Sequence, residues 1–191
     1  MRELTLGFAM CGSFCTFEPV LAQLQNLKEE FPRIVPIFSE TAYETDTRFG
    51  TAADFRSRAE AICGCEILHT VREVEPIGPK GLLDALVVCP CTGNTLGKLA
   101  NGIADGPVTL AVKAHLRNEA PVIVAVSTND ALAGNAENIG KLLNRRHYYF
   151  VPFRQDAPFQ KPRSMVADFS LLPQTVRLAL KGEQLQPIVI G

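Results

Sequence analysis

Small polar residues recur directly after apolar runs in this sequence, and their types suit an anion or a planar heterocycle. Cys11-Gly12-Ser13-Phe14 follows the run from Leu4 to Met10, and Ser39-Glu40-Thr41 follows Ile34 to Phe38. Pro90-Cys91-Thr92-Gly93-Asn94-Thr95 follows Ala85 to Cys89, and Ser127-Thr128-Asn129-Asp130 follows Pro121 to Val126. Glycine lets a backbone approach a ligand closely. Serine and threonine offer hydroxyls, and an asparagine amide supplies a donor and an acceptor together. Gly12 and Ser13 ahead of a helix suit a phosphate, because a helix N-terminus presents free N–H groups. An ordinary β–α turn with a capping serine is the alternative there, since the turn lacks a full glycine fingerprint.

A second set of residues is cationic. Lys98, Lys113, His115 and Arg117 lie near these loops in sequence, and Arg163 lies in a proline-rich stretch. Guanidinium matches carboxylate geometry, which makes Arg117 and Arg163, with Lys98 and Lys113, candidates to hold an acidic substrate. Lys113 and Arg117 are spaced i,i+4 and equally suit a solvated helix face. The six cysteines fall as Cys11/Cys15, Cys63/Cys65 and Cys89/Cys91. Zinc sites favour C-x2-C, so these spacings read as reduced thiols, with no metal expected. Cys91 sits in the candidate ligand loop but has no local histidine to activate it.

The elements that position these residues follow from the apolar pattern. Ala85 to Cys89 is too short for a helix and apolar on both faces, as a strand covered on both sides would be. Pro90 removes a ladder donor and is expected to end that strand. Helices are expected from about Thr16 to Glu30, Ala52 to Cys63, Thr95 to Ala104, Val108 to Arg117, Glu137 to Asn144 and Pro173 to Leu180. Strands are expected at Leu4 to Met10, Ile34 to Phe38, Ile67-Leu68, Ala85 to Cys89, Pro121 to Val126 and Tyr148 to Val151. Glu73 to Gly81, with two prolines and two glycines, reads as irregular. The β–α alternation implies an α/β three-layer fold, Rossmann-like or flavodoxin-like, with a mostly parallel six-stranded sheet. Residues 1–191 read as a single domain, with a proline-rich flap or interface segment near 152–164.

Composition narrows the function classes. The 191 residues carry a formal net charge of −1, and 47% are hydrophobic. That balance gives no electrostatic case for nucleic acid or an anionic membrane. No apolar run approaches the ~20 residues of a membrane span, and no signal segment stands at the start, so a cytoplasmic location is expected.

The motifs resemble those of the flavoprotein family of homo-oligomeric flavin-containing cysteine decarboxylases. Pro90-Cys91-Thr92-Gly93-Asn94-Thr95 is similar to that family's PASANT motif, and Lys98-Leu99-Ala100-Asn101-Gly102-Ile103-Ala104-Asp105 to the helix after it. Glu75-Pro76-Ile77-Gly78-Pro79-Lys80, Ala111 to Asn118, Thr128-Asn129-Asp130 and Tyr149 to Phe153 resemble the family's dipicolinate-forming branch. The similarity spans essentially the whole chain.

The resemblance implies FMN at the strands' carboxyl ends, with its phosphate near Gly12, Ser13, Phe14 and Ser39. Pro90, Cys91, Thr92, Asn94, Thr95, Thr128 and Asn129 would border the flavin, and Asn94 would also meet substrate. It also implies one component of an oxidoreductase that forms a pyridine dicarboxylate during sporulation, from a dihydro- or 4-hydroxytetrahydro precursor. The partner would be an NAD(P)-binding A subunit, and the chain itself a trimer or larger homo-oligomer. Two departures stand out. Pro76 falls where the decarboxylases carry a histidine, and Thr128 replaces a methionine of the family's PxMN motif. A flavin-free scaffold or substrate-binding component, and an independent FMN-dependent decarboxylase-like enzyme, are the alternatives.

Overall fold

The structure, a computed structural model, describes residues 3–191. The apolar runs become five parallel strands: β1 (Thr5–Met10), β2 (Arg33–Phe38), β3 (Ala85–Cys91), β4 (Val122–Thr128) and β5 (Tyr148–Phe150). They lie in the order β2-β1-β3-β4-β5. Two short antiparallel strands extend the sheet, β6 (Phe153–Arg154) and β7 (Met165–Ala167), with β7 pairing the end of β4. Every residue of β3 is buried, as expected for a central strand covered on both faces. The chain order reverses direction between β1 and β3. Open α/β sheets hold their ligands outside the strand carboxyl ends at such a switch point.

The helices form because their apolar residues repeat at helical spacing. On α1 (Phe17–Glu30), Phe17, Val20, Leu21, Leu24 and Leu27 are buried along one stripe. Phe17 meets Phe55 of α3 (Ala52–Cys63) edge-on, with ring centroids 4.9 Å apart. Thr51 caps α3 by accepting from Asp54 N–H, and Gly64 ends it in the left-handed region at φ 74°. Truncating a ring such as Phe17 in this core would cost roughly 3–5 kcal/mol. The remaining helices are α2 (Glu40–Glu44), α4 (Val71–Val74), α5 (Gly93–Ala100), α6 (Pro107–Leu116), α7 (Ala136–Leu143) and α8 (Leu172–Ala179). None of the helices described is long and apolar enough to cross a membrane.

Several details differ from the sequence-based expectation. The sheet has seven strands. Ile67-Leu68 contributes one bridge, Ile37 to Leu68, while β6 and β7 are too short to show alternation in sequence. Pro90 does not end β3. The register against β4 shifts between Val88 and Cys91, so Pro90's missing donor leaves no gap, and its carbonyl accepts Cys11 N–H at 3.2 Å. Ser39 to Thr41 is the start of α2 rather than a loop, because Ser39's hydroxyl caps Ala42 N–H. Residues 71–77 are helical, as α4 followed by a 3-10 turn. Thr70 and Glu73 close a capping box, and Pro76 sits in the first turn of the 3-10 segment, where it needs no donor. The helix after β3 begins at Gly93 and ends at Ala100, earlier than its apolar pattern suggested.

Candidate functional site

Three strand outlets meet in one cavity of about 710 Å³. That size is typical of a small-molecule or cofactor site, roughly 300–1,000 Å³. After β1, Gly12, Ser13, Phe14 and Cys15 form one wall. Thr92, Gly93 and Asn94 enter from β3 and α5, and Ser127 to Asp130 enter from β4. Ser13 and Ser127 share a hydroxyl–hydroxyl hydrogen bond of 2.8 Å. Thr16 donates to the Ser13 carbonyl at 2.8 Å, which fixes the turn. Ser13 makes no side-chain cap bond, so its hydroxyl faces the opposite outlet instead of its own helix.

The α5 end is held by hydroxyls. Thr92 caps it by accepting from Thr95 N–H at 3.3 Å, and the Thr92 and Thr95 hydroxyls lie 3.1 Å apart. Thr95 in turn donates to Cys11 Sγ at 3.3 Å, tying the helix to the end of β1. Gly93 is a steric necessity. A β-carbon there would lie 2.5 Å from Asn135 Nδ2, 2.6 Å from Thr128 Oγ1 and 2.8 Å from Asp130 Oδ1. Those three groups form one network, in which Thr128 and Asn135 each donate to a different oxygen of Asp130.

The fourth wall comes from residues 156–166. Asp156, Lys161, Ser164, Met165 and Val166 line the cavity, together with Phe49 from the loop before α3. Lys161 donates to Asp156 at 3.3 Å. Burial acts to raise the Asp156 carboxyl, but hydrogen bonds from Ser164 and Lys161 outweigh it and hold the group below the usual carboxylate range. Leu132 N–H donates to the Arg163 carbonyl at 3.0 Å, fastening this segment to the loop after β4. The acidic groups are thus engaged, and Phe14 and Cys15, which open the 3-10 turn, and Gly93 and Asn94, which open α5, all line the hollow. Phe14, Met165 and Val166 give it apolar surface. A ligand with a phosphate at one end and a flat ring at the other fits these walls.

Of the residues singled out by sequence, Gly12, Ser13, Phe14, Thr92, Asn94, Thr128 and Asn129 come together on the wall. Pro90, Cys91 and Thr95 lie buried behind it. Burial, with Cys11 and Cys89 nearby, pushes the Cys91 thiol well above its ordinary pKa, so Cys91 is a packed thiol rather than a thiolate. Ser39 is engaged in capping α2. Lys98 pairs with Asp105 at 2.8 Å, and Lys113 and Arg117 line a separate hollow. Arg163 does not line the cavity; its carbonyl accepts Leu132 N–H, and the residue is exposed. The sequence singles out neither Cys15, Phe49, Met165 nor Val166; it marks Gly93, Ser127 and Asp130 only as members of polar outlets, and Asp156, Lys161 and Ser164 only as part of the flap segment near 152–164. Ser127 and Asp130 were within the polar outlet that marked the site. The residues from 156 onward join through antiparallel pairing that no local pattern announces.

The comparisons with known proteins agree with this geometry. Residues 2–166 match the family model Flavoprotein. The chain belongs to the Flavoprotein family. Within this family it is 44% identical over 190 residues to the B subunit of dipicolinate synthase from Bacillus subtilis, covering 100% of this chain and 95% of that protein. It superposes on the crystal structure of the dipicolinate synthase B subunit from Bacillus halodurans with a TM-score of 0.90 at 41% identity, covering 100% and 99% of the two chains. The FMN-dependent cysteine decarboxylase SpaF shares the fold, with a TM-score of 0.70 at 22% identity over 93% of this chain and 97% of that one.

Proposed function

We propose that this chain is the B subunit of a dipicolinate synthase and holds FMN in the cavity at the ends of β1, β3 and β4. It acts with an NAD(P)-binding A subunit to form dipicolinate from a dihydro- or 4-hydroxytetrahydro-dipicolinate. The observation that carries the reading is the Ser13–Ser127 contact at the mouth of a cavity flanked by two helical N-termini, in a chain 44% identical along its length to such a protein. Forming dipicolinate from the dihydro compound removes two electrons and two protons, and the 4-hydroxy precursor must also lose water. Bound FMN would supply a hydride acceptor for that oxidation, and NAD(P) on the A subunit would supply another.

This chain's own residues orient and exclude. Ser13, Ser127 and the free N–H groups at Phe14 and Cys15 suit a phosphate. Asn94, at the α5 N-terminus, can donate to a ring edge or a carboxylate. Asp130 is fixed by hydrogen bonds from Thr128 and Asn135, which hold its carboxylate in place without cancelling its charge. Met165 and Val166 give the opposite side apolar surface for the flat ring. The chain is proposed to self-associate as a trimer or larger and to work in the mother-cell cytoplasm.

A flavin-free B subunit is the second reading. It is favoured by one observation: among the described residues the cavity wall carries no histidine. Pro76 lies in the 3-10 turn, and His69 stacks flat on Tyr43 with centroids 3.8 Å apart. The same observation removes support from an independent decarboxylase-like enzyme.

The test is an absorbance spectrum of the purified protein, followed by FMN titration and then assays with and without the A subunit. Micromolar FMN binding, lost in Ser13→Ala/Asn94→Ala, together with dipicolinate formation that requires both proteins, is the expected result. Full activity of the pair without flavin would establish the second reading.

A further inference from the structure

Two of the four cations expected at the substrate site, Lys113 and Arg117, instead border a second hollow. It lies between α5, α6 and the start of β5 and measures about 280 Å³. Leu99 and Val112 form an apolar floor, and Ile103, 47% exposed, stands at the rim beside Leu116. Lys113, Arg117 and Arg145 all line it. Among the described residues no aspartate or glutamate does, and neither Lys113 nor Arg117 makes an ion pair or a side-chain hydrogen bond. Arg145 is fixed in place. Its guanidinium donates to the Leu99 carbonyl at 3.0 Å and to the Ala100 carbonyl at 2.7 Å, so its charge is held at the edge of the hollow. Tyr148, almost fully buried, places a phenol on the same wall.

We propose that this hollow binds a small aromatic carboxylate, separately from the cofactor cavity. The flat body of such a ligand would cover Leu99, Val112 and Leu116, replacing water on apolar surface. Its carboxylate would meet Arg117 and Lys113, which stand four residues apart on one helix face and repel each other until an anion arrives. Charge complementarity selects the occupant, because an uncharged aromatic would leave three cations crowded around an apolar floor. At about 280 Å³ the site is too small for a nucleotide, and the one first-turn residue on its wall, Thr109, is engaged with Gly106. The class includes the proposed dicarboxylate product, but the inference rests on the hollow's own residues and does not need that reading.

The experiment uses isophthalate, benzoate and benzyl alcohol as probes, with the full chain followed by calorimetry and by sedimentation. Isophthalate and benzoate should bind and benzyl alcohol should not. Lys113→Gln/Arg117→Gln should weaken isophthalate binding about tenfold or more, as expected for lost hydrogen bonds between charged groups. Ser13→Ala, in the other cavity, should leave isophthalate binding unchanged, and the double variant should keep the parent's circular dichroism spectrum and melting temperature. Equal isophthalate affinity in the parent and the double variant would overturn the proposal, as would no binding up to millimolar probe. A change of oligomeric state in the double variant would also overturn it, by making this surface a contact between copies of the chain. None of these outcomes bears on whether the first cavity holds FMN.

Discussion

Ser13 and Ser127, 114 residues apart in the chain, meet hydroxyl to hydroxyl at 2.8 Å. The contact joins the outlets of two strands that are not sheet neighbours, since β3 lies between them. Either hydroxyl can turn toward an incoming phosphate while the other remains its partner. Ser13→Ala and Ser127→Ala should therefore each weaken FMN binding by about five- to tenfold, in line with roughly 1 kcal/mol for a hydrogen bond. Fluorescence quenching of FMN on titration measures this, and thermal unfolding without ligand should change little.

Gly93 has no room for even one carbon. Gly93→Ala would drive a methyl group into Thr128, Asp130 and Asn135, each under 3 Å away. An overpacking cost of roughly 1–3 kcal/mol is expected, read as a lower denaturation midpoint. Because Thr128 and Asp130 line the cavity, FMN affinity should fall with it.

Asn135 is 8% exposed and bonds the Asp130 carboxylate at 2.8 Å. Asn135→Ala would strip a charged acceptor of one donor and leave a void. A loss of about 1–3 kcal/mol is expected in urea denaturation. Asp130→Asn, which keeps the shape, should cost less and should raise the site's affinity for anions by removing a negative charge.

The cysteines give a readout that does not depend on turnover. Cys15 and Cys65 are exposed, and the other four are buried. Burial pushes Cys11 up to about 11, countered in part by hydrogen bonds from Thr95 and Thr92. An aromatic disulfide reagent near pH 8 should thus modify two thiols in the native protein and six after denaturation. Cys15 lines the cofactor cavity, so FMN should slow its reaction and leave that of Cys65 unchanged.

His115 is completely buried, with Nε2 3.1 Å from the Pro121 carbonyl and Nδ1 without a partner. Burial lowers its pKa below the ordinary 6.5, against the pull of the Pro121 carbonyl and Asp84. The unfolded chain then takes up a proton that the folded chain refuses. This contribution to stability is present above pH 6.5 and is lost as pH falls from there through the depressed folded value. Melting temperatures between neutral and acid pH should decline less steeply in His115→Gln than in the parent.

Much of this arrangement was legible in the sequence. β1, β2, β3, β4 and β5 were visible as short apolar runs, and three of the four polar outlets form the cavity. Local pattern carries that much because a strand end and the turn after it are contiguous in the chain. Pro90 misled because a ladder rule cannot anticipate a register shift that falls at the proline itself, between Val88 and Cys91. Ser39 misled because its capping bond and a ligand bond look alike in sequence. The cations misled for a geometric reason. Lys113 and Arg117 are close to the ligand loops along the chain, but α6 carries them back toward the opposite ends of the strands. Residues 152–164 read as a proline-rich flap or interface segment, but their attachment to β4 is not legible, because two-residue strand pairing across a long connection leaves no periodic trace.

The free edge of β4 is divided between two partners, Val122 to Val124 pairing with β5, and Ser127 and Thr128 with β7. Two residue pairs therefore fasten the outer wall to the sheet, and both members on the β4 side are themselves cavity lining. Ser127 and Thr128 on one side of that seam and Met165 and Val166 on the other line the cavity, so a molecule seated there would touch both sides and should hold it closed. The amide protons along the seam become a gauge of occupancy, exchanging slowly when the hollow is filled and faster when it is emptied. Those of Val122 to Val124, on the same strand, keep independent time.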